Sequence, residues 1–361
     1  MQIPIYKPYI PKKSIEYSSK AIASGWISSL GEYSDLATNK LAELCKVKYV
    51  LLTNNGTSAT HLVSACLNKF NPNLKKVIVP AACYVAAYNS LLYEKKNWQL
   101  ESADLDSETW NTNNDNLKVD KNTAILAVHN LGNIINVPKL IKKYNCPIVE
   151  DNCEGFLGSY NGTPSGSASL CSSLSFFANK NVTTGEGGAF LTNNKNYYQY
   201  ALRLRGQGQT SNRYIHDVMG YNYRMTNIQA GLLLGQLEEI DYIREEKRRV
   251  FDRYKNNLSN KSLIKLQKNE EGTSHSKWML GVKFSNKNFT EAECFFDKAG
   301  IEIRPMFYPY KTHKYLPVEG DSILAEKICS RIIIFPSFPT LKNSEIDFIS
   351  EKILQFSLLN K

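Results

Sequence analysis

The sequence predicts an α/β fold built on parallel strands joined by helical crossovers. Three observations carry that reading. Between about residues 45 and 195, short apolar runs alternate with longer segments of helical character. Several runs end directly in polar or glycine-rich residues, and open α/β sheets hold their ligands beyond the carboxyl ends of their strands. With 42% hydrophobic and 11% aromatic residues in a chain of 361, there is material for a full core, arranged as one large unit plus a smaller one.

In chain order the expected strands are 49–52, 77–79, 124–128, 147–150, 174–177 and 189–191. Between the first two, NNGTSATHLVSACL reads as a turn at 54–56 and a helix starting at Thr57 and Ser58, with Ala59, Leu62, Val63 and Cys66 as its apolar face. After Gly220, the spacing of Met225, Ile228 and Leu232 and the run to Ile240 predict a long amphipathic helix leading into a charged one at 243–255. A second unit begins nearby. In it the TEAE run at 290–293 fits a capping box and Gly300 a helix end, ahead of a strand-like segment at 301–304.

An excess of 44 basic over 34 acidic side chains gives a net charge of +10, which raises nucleic acid, a membrane surface or a phosphorylated small molecule as partners. Position decides among them. The densest stretch, IREEKRRVFDRYK, mixes signs at helical spacing, as a solvated helix face does, and nucleic acid is set aside. No apolar run has signal-peptide or membrane-spanning length, so a cytoplasmic protein with no membrane association is expected. Eight cysteines without a C-x-x-C pair suit reduced thiols, with no metal site and no disulfide frame.

The most informative stretch is IVEDNCEGFLGSYNG, where an apolar strand delivers Glu150 and Asp151, followed by Glu154. Alone, acids at a strand end are commonly helix caps or turn residues. Here Asp151 is followed 29 residues later by Lys180 in SLSFFANKNVTTGEGG, another apolar strand ending in small and polar residues. A lysine that forms a Schiff base needs a partly desolvated site in which a neutral amine can attack an aldehyde. A carboxylate beside a pyridine nitrogen keeps that ring protonated and able to act as an electron sink. The third element is the helix start at Gly56, Thr57 and Ser58, where free N–H groups, the helix dipole and two hydroxyls make an anion site. It does not match the phosphate loop G-x-x-x-x-G-K-[ST], and no G-x-G-x-x-G follows a strand. Nucleotide hydrolysis and nicotinamide chemistry are therefore disfavoured.

In this order, these elements resemble the DegT-like sugar aminotransferases of the fold-type-I (aspartate aminotransferase-like) pyridoxal-phosphate superfamily. The likeness runs through GWISS, NNGTSATHL, VIVPAACYVA, ESADLDSETWN, IVEDNCEGFLGSY, SFFANKNVTTGEGG, GYNYRMTNIQAGLLLGQLE and EIRPMFYP, essentially the whole chain. The resemblance implies a large cofactor-binding domain over 1–245, with a mostly parallel mixed sheet flanked by helices, and a small α+β domain over 246–361. The segment 1–30 would contribute to the active-site region. Lys180 would be the Schiff-base lysine and proton carrier, Asp151 the partner of the pyridine nitrogen, and Glu154 a neighbour of the ring hydroxyl. Tyr84 would stack on the ring. Thr57, Ser58 and Ser175 would contact the phosphate from one subunit and Asn222 from the other, in a homodimer with shared sites. Trp26, Ser28 and Tyr308 would face the substrate.

The implied reaction uses pyridoxal 5'-phosphate, with pyridoxamine 5'-phosphate as the intermediate form. L-glutamate would supply an amino group to C4 of a nucleotide-linked 4-keto-6-deoxy sugar. A GDP-linked perosamine is the product that the likeness favours, and UDP- or dTDP-linked viosamine is the alternative. Two departures bear on the details. The family's usual His-Leu-Tyr-Gly run appears as His129-Asn130-Leu131-Gly132, and Lys311 stands where relatives commonly carry histidine. A dehydratase on the same scaffold would replace the Schiff-base lysine with histidine or add a cluster. A non-catalytic sugar sensor would carry a damaged site. Lys180 and the unclustered cysteines speak against the first, and Asp151, Lys180 and the phosphate cradle against the second.

Overall fold

The computed structural model describes residues 2–94 and 96–359. Among these residues the centre of the molecule is an eight-stranded sheet. Its strands are β1 (Tyr49–Thr53), β2 (Lys76–Pro80), β3 (Gln99–Ala103), β4 (Thr123–Val128), β5 (Ile148–Asp151), β6 (Ser172–Ser175), β7 (Gly188–Thr192) and β8 (Val318–Gly320). They lie in the order β1-β7-β6-β5-β4-β2-β3-β8. Among the described strands of this sheet, β7 alone runs antiparallel to its neighbours, placing Gly188 between Thr53 and Ser175. The sheet is thus mostly parallel but mixed, as expected. Every residue of β4, β5, β6 and β7 is buried, the signature of strands covered on both faces.

The helix Gly56–Phe70 lies on one face, with Ala59, Leu62, Val63 and Cys66 fully buried. It starts one residue before the expected Thr57, because Asn55 caps it by accepting the Ser58 N–H at 2.8 Å. A second helical layer is made by Lys12–Ser24, Glu32–Cys45 and Asn227–Glu238. Gly235 makes the close approach possible, since a Cβ there would stand 2.3 Å from the Ser14 backbone nitrogen. The charged helix, Ile240–Leu258, pairs much of its own charge, Arg249 with Glu246 at 2.9 Å and Arg253 with Asp347 at 2.5 Å. No helix among the described residues is long and apolar enough to cross a membrane.

The C-terminal part holds a four-stranded sheet of Ile264–Leu266, Leu280–Phe284, Ile332–Phe335 and Arg304–Pro305, covered by Phe289–Lys298 and Asn343–Leu358. Three details differ from the sequence reading. The helix Ile240–Leu258 runs unbroken across residue 245, and β8 returns from the C-terminal part to the edge of the large sheet, so the chain is not cut cleanly at 245/246. The capping box of Phe289–Lys298 belongs to Asn288 and Glu291, two residues before Thr290. The strand expected at 301–304 is reduced to Arg304–Pro305, because Ile301 pairs instead with Ile3 near the N-terminus.

Candidate active site

The carboxyl ends of β1, β5 and β6 converge on a cavity of about 340 Å³. Asp151, the last residue of β5, is buried, and its Oδ1 accepts the N–H of Cys153 at 3.1 Å and the Ser173 hydroxyl at 3.5 Å. Among the described residues no hydrogen bond reaches its Oδ2. Glu154 follows on the turn, its Oε2 accepting the Leu131 N–H at 2.8 Å. Leu131 takes φ +58°, a left-handed conformation that aims this N–H. Burial pushes the Glu154 carboxyl up to about 7, against the pull of Lys180 and with the repulsion of Asp151.

Lys180 closes a turn after β6, its N–H donating to the Phe177 carbonyl at 2.9 Å. Its own carbonyl accepts the Tyr6 hydroxyl at 2.9 Å, which ties the N-terminal segment to the site. Its Nζ sits 3.7 Å from the centre of the Trp278 ring. On the opposite flank the helix start at Gly56 presses against the end of β6: a Cβ on Gly56 would lie 2.6 Å from Ser175 Cβ. First-turn N–H groups have no helical acceptor, and with the Ser58 N–H taken by Asn55, those of Gly56 and Thr57 are left for a ligand.

Of the residues singled out in the sequence, Gly56, Thr57, Tyr84, Asp151, Glu154, Ser175 and Lys180 line this one cavity. Ser58 is buried and does not line it. Asn222 lies on a β-bridge to Gly206, and Trp26, Ser28 and Tyr308 also stand outside the cavity of the single chain. The Trp26 and Ser28 carbonyls instead accept hydrogen bonds from Asn227. The sequence reading missed Asn179, Glu186, Trp278 and Phe307, which also line it. Asn179 and Glu186 flank Lys180 and lay within reach of a local reading. Trp278 and Phe307 arrive from the C-terminal part, and no local pattern announces them. A larger recess of about 670 Å³ beside Phe251 and His275 contains none of the singled-out residues.

The donor set suits a phosphorylated pyridine aldehyde: a carboxylate with an oxygen open to a ring nitrogen, a helix start for an anion, and an amine between them. Comparison with known proteins agrees. Residues 8–354 match the model of the DegT/DnrJ/EryC1/StrS aminotransferase family. The chain is 36% identical over 374 aligned residues to GDP-perosamine synthase of Escherichia coli O157:H7, covering 98% of each. It is 31% identical over 367 to GDP-perosamine synthase of Vibrio cholerae, covering 98% of this chain and 99% of the other. Among solved structures, E. coli GDP-4-keto-6-deoxy-D-mannose-3-dehydratase with bound hydrated PLP superposes with a TM-score of 0.89 at 20% identity, covering 98% and 99%, a likeness of fold. The chain belongs to the DegT/DnrJ/EryC1/StrS aminotransferase family.

Proposed function

We propose that this protein is a pyridoxal-phosphate-dependent sugar aminotransferase that moves an amino group from L-glutamate to C4 of GDP-4-keto-6-deoxymannose, giving GDP-perosamine. The observation that carries the chemistry is the meeting of the Lys180 amine, the Asp151 carboxylate and the Gly56–Thr57 helix start around one cavity. The nucleotide and sugar come from the near full-length likeness to the two GDP-perosamine synthases.

The cofactor, when bound, supplies an electron sink, and in its pyridoxamine form it carries the amino group between the two half-reactions. The residues do the rest. Asp151 would keep the ring nitrogen protonated, and Glu154, whose carboxyl burial pushes up to about 7, would lie near the ring hydroxyl. Gly56 and Thr57, with Ser58 and Ser175, would bind the phosphate. Tyr84 would cover the ring. Lys180 would hold the cofactor, and its Nζ would take the proton from the amine-bearing substrate carbon and carry it in the 1,3-shift.

Asn222 reaches the site of a second subunit in a homodimer, and Trp26, Ser28 and Tyr308 approach the sugar nucleotide. Exposed apolar side chains on the same segments support a partner there, with Tyr214 76%, Met219 82% and Trp26 64% exposed. The reaction belongs in the cytoplasm. The dehydratase alternative is disfavoured by a lysine at 180.

The test is amination of GDP-, UDP- and dTDP-linked 4-keto-6-deoxyhexoses with glutamate, followed by mass of the product. Preference for the GDP sugar is expected. Amination of a UDP or dTDP sugar in preference would move the substrate to the viosamine type, and amination of none would sink the reading.

A further inference from the structure

Trp278 is held at both ends. Its Nε1–H donates to the Asn179 carbonyl at 2.7 Å, and its own carbonyl accepts the Lys247 ammonium at 2.9 Å and the Ser337 hydroxyl at 3.4 Å. Lys247 is itself buried and donates to the Ser337 carbonyl as well. The backbone that carries it is closely packed, since a Cβ on Gly132 would come within 3.2 Å of Trp278 Cβ. The residue lines the cavity. Lys180 Nζ rests on its face, 3.7 Å from the centroid, and among the described residues no oxygen makes a hydrogen bond or ion pair with that Nζ.

Resting on the cofactor reading above, we propose that Trp278 is the seat of the Lys180 amine while that amine is charged and not covalently engaged. The indole face holds it as an ammonium at the cavity wall and lets it go when it gives up its proton. A transaminase needs such a place. Lys180 must leave the cofactor while the amino group is carried and must return from a defined position, because a free four-carbon side chain would sample many rotamers. An aromatic face attracts the ammonium and has no lone pair to trap the neutral amine. Around the same cavity stand Asp151, Glu154, Cys153, Glu186 and Tyr84, with Lys247 on the Trp278 backbone carbonyl. All remain in a Trp278 variant, so a change in Lys180 reactivity reports the ring.

The experiment uses the full chain freed of cofactor, in wild-type, Trp278→Phe and Trp278→Leu forms. N-hydroxysuccinimidyl acetate acylates Lys180: the neutral amine attacks the ester carbonyl, N-hydroxysuccinimide leaves, and the amine proton passes to buffer. The rate at Lys180 is read at one neutral pH by peptide mass spectrometry, with circular dichroism to establish folding. It is expected to rise about tenfold in Trp278→Leu and by less in Trp278→Phe, because the ring no longer holds the amine in its unreactive charged form. A rate that coincides with wild type or falls in the folded variants overturns the proposal. If Trp278→Leu does not fold, the Phe variant decides by the same rule. Failure of wild type to trap pyridoxal phosphate at Lys180 with borohydride would sink the cofactor reading instead, and leaves the acylation result standing.

Discussion

His129 donates its ring Nε2–H in a hydrogen bond to Glu150, the residue immediately before Asp151. Its Nε2 lies 3.0 Å from Glu150 Oε2, while its Nδ1 accepts the Ile135 N–H at 3.1 Å, which sets the tautomer. Glu150 Oε2 also takes the Gly166 N–H at 3.0 Å. Burial alone would push this carboxyl up, but the interaction with His129 and the hydrogen bonds from Ser169 and Gly166 together outweigh it and hold it below its ordinary 4.5. His129, the histidine that this run keeps, thus braces the strand that presents Asp151.

A carboxyl held low in the folded state adds stability that is present above the unfolded value and lost as pH falls through the folded one. Replacing Glu150 by Gln should therefore flatten the acid limb of the stability curve below about pH 4.5. Urea unfolding from pH 3 to 6 reads this directly. Equal acid slopes in the two proteins would contradict it.

Glu154, four residues on, should behave in the opposite sense. Its folded value of about 7 lies above the ordinary 4.5, so the native state binds more protons in that window and stability falls as pH rises through it. Glu154→Gln removes the effect. The variant should gain on wild type between pH 5 and 8, by up to about 3 kcal/mol in the cofactor-free chain. Denaturant melts at both pH values are the check.

Gly56→Ala should damage the phosphate end without touching the lysine. The added methyl would meet Ser175 Cβ at 2.6 Å, and the helix start must retreat from the strand end. An overpacked site of this kind costs about 1–3 kcal/mol. The dissociation constant for pyridoxal phosphate should rise roughly tenfold to a hundredfold, with borohydride still trapping the cofactor at Lys180.

Lys180→Ala should abolish both trapping and turnover, and the near-ultraviolet to visible band of the lysine-bound cofactor should be absent. Glutamate should shift that band in wild type. A variant that still aminates the sugar at the wild-type rate would end the proposed mechanism.

What could be read from the sequence follows the range of the forces. Strands β1, β2, β4, β5 and β7 are apolar runs whose burial is written in each segment, and β5 carries Asp151, whereas β6 (SSLS) lies two residues before the apolar run expected at 174–177 and presents Ser175, with Lys180 one turn later. Strands β3 (QLESA) and β8 (VEG) have no such run and are strands because neighbours offer them hydrogen bonds. Trp278, 98 residues beyond Lys180, and Tyr6, 174 before it, reach the site only by tertiary packing. The capping box at Asn288 was displaced because Thr290 offers the same chemistry two residues later, and only the backbone path chooses between them.

The return of β8 to the large sheet has a consequence for biosynthesis. Until residue 320 has left the ribosome, β3 has no partner on its outer side, although the rest of its sheet was translated more than a hundred residues earlier. An open edge is a template for pairing with other chains. The nascent enzyme therefore passes through a period in which its largest sheet is nearly complete and the five residues of β3 are an open edge, and three late residues cover most of that edge with a much shorter one.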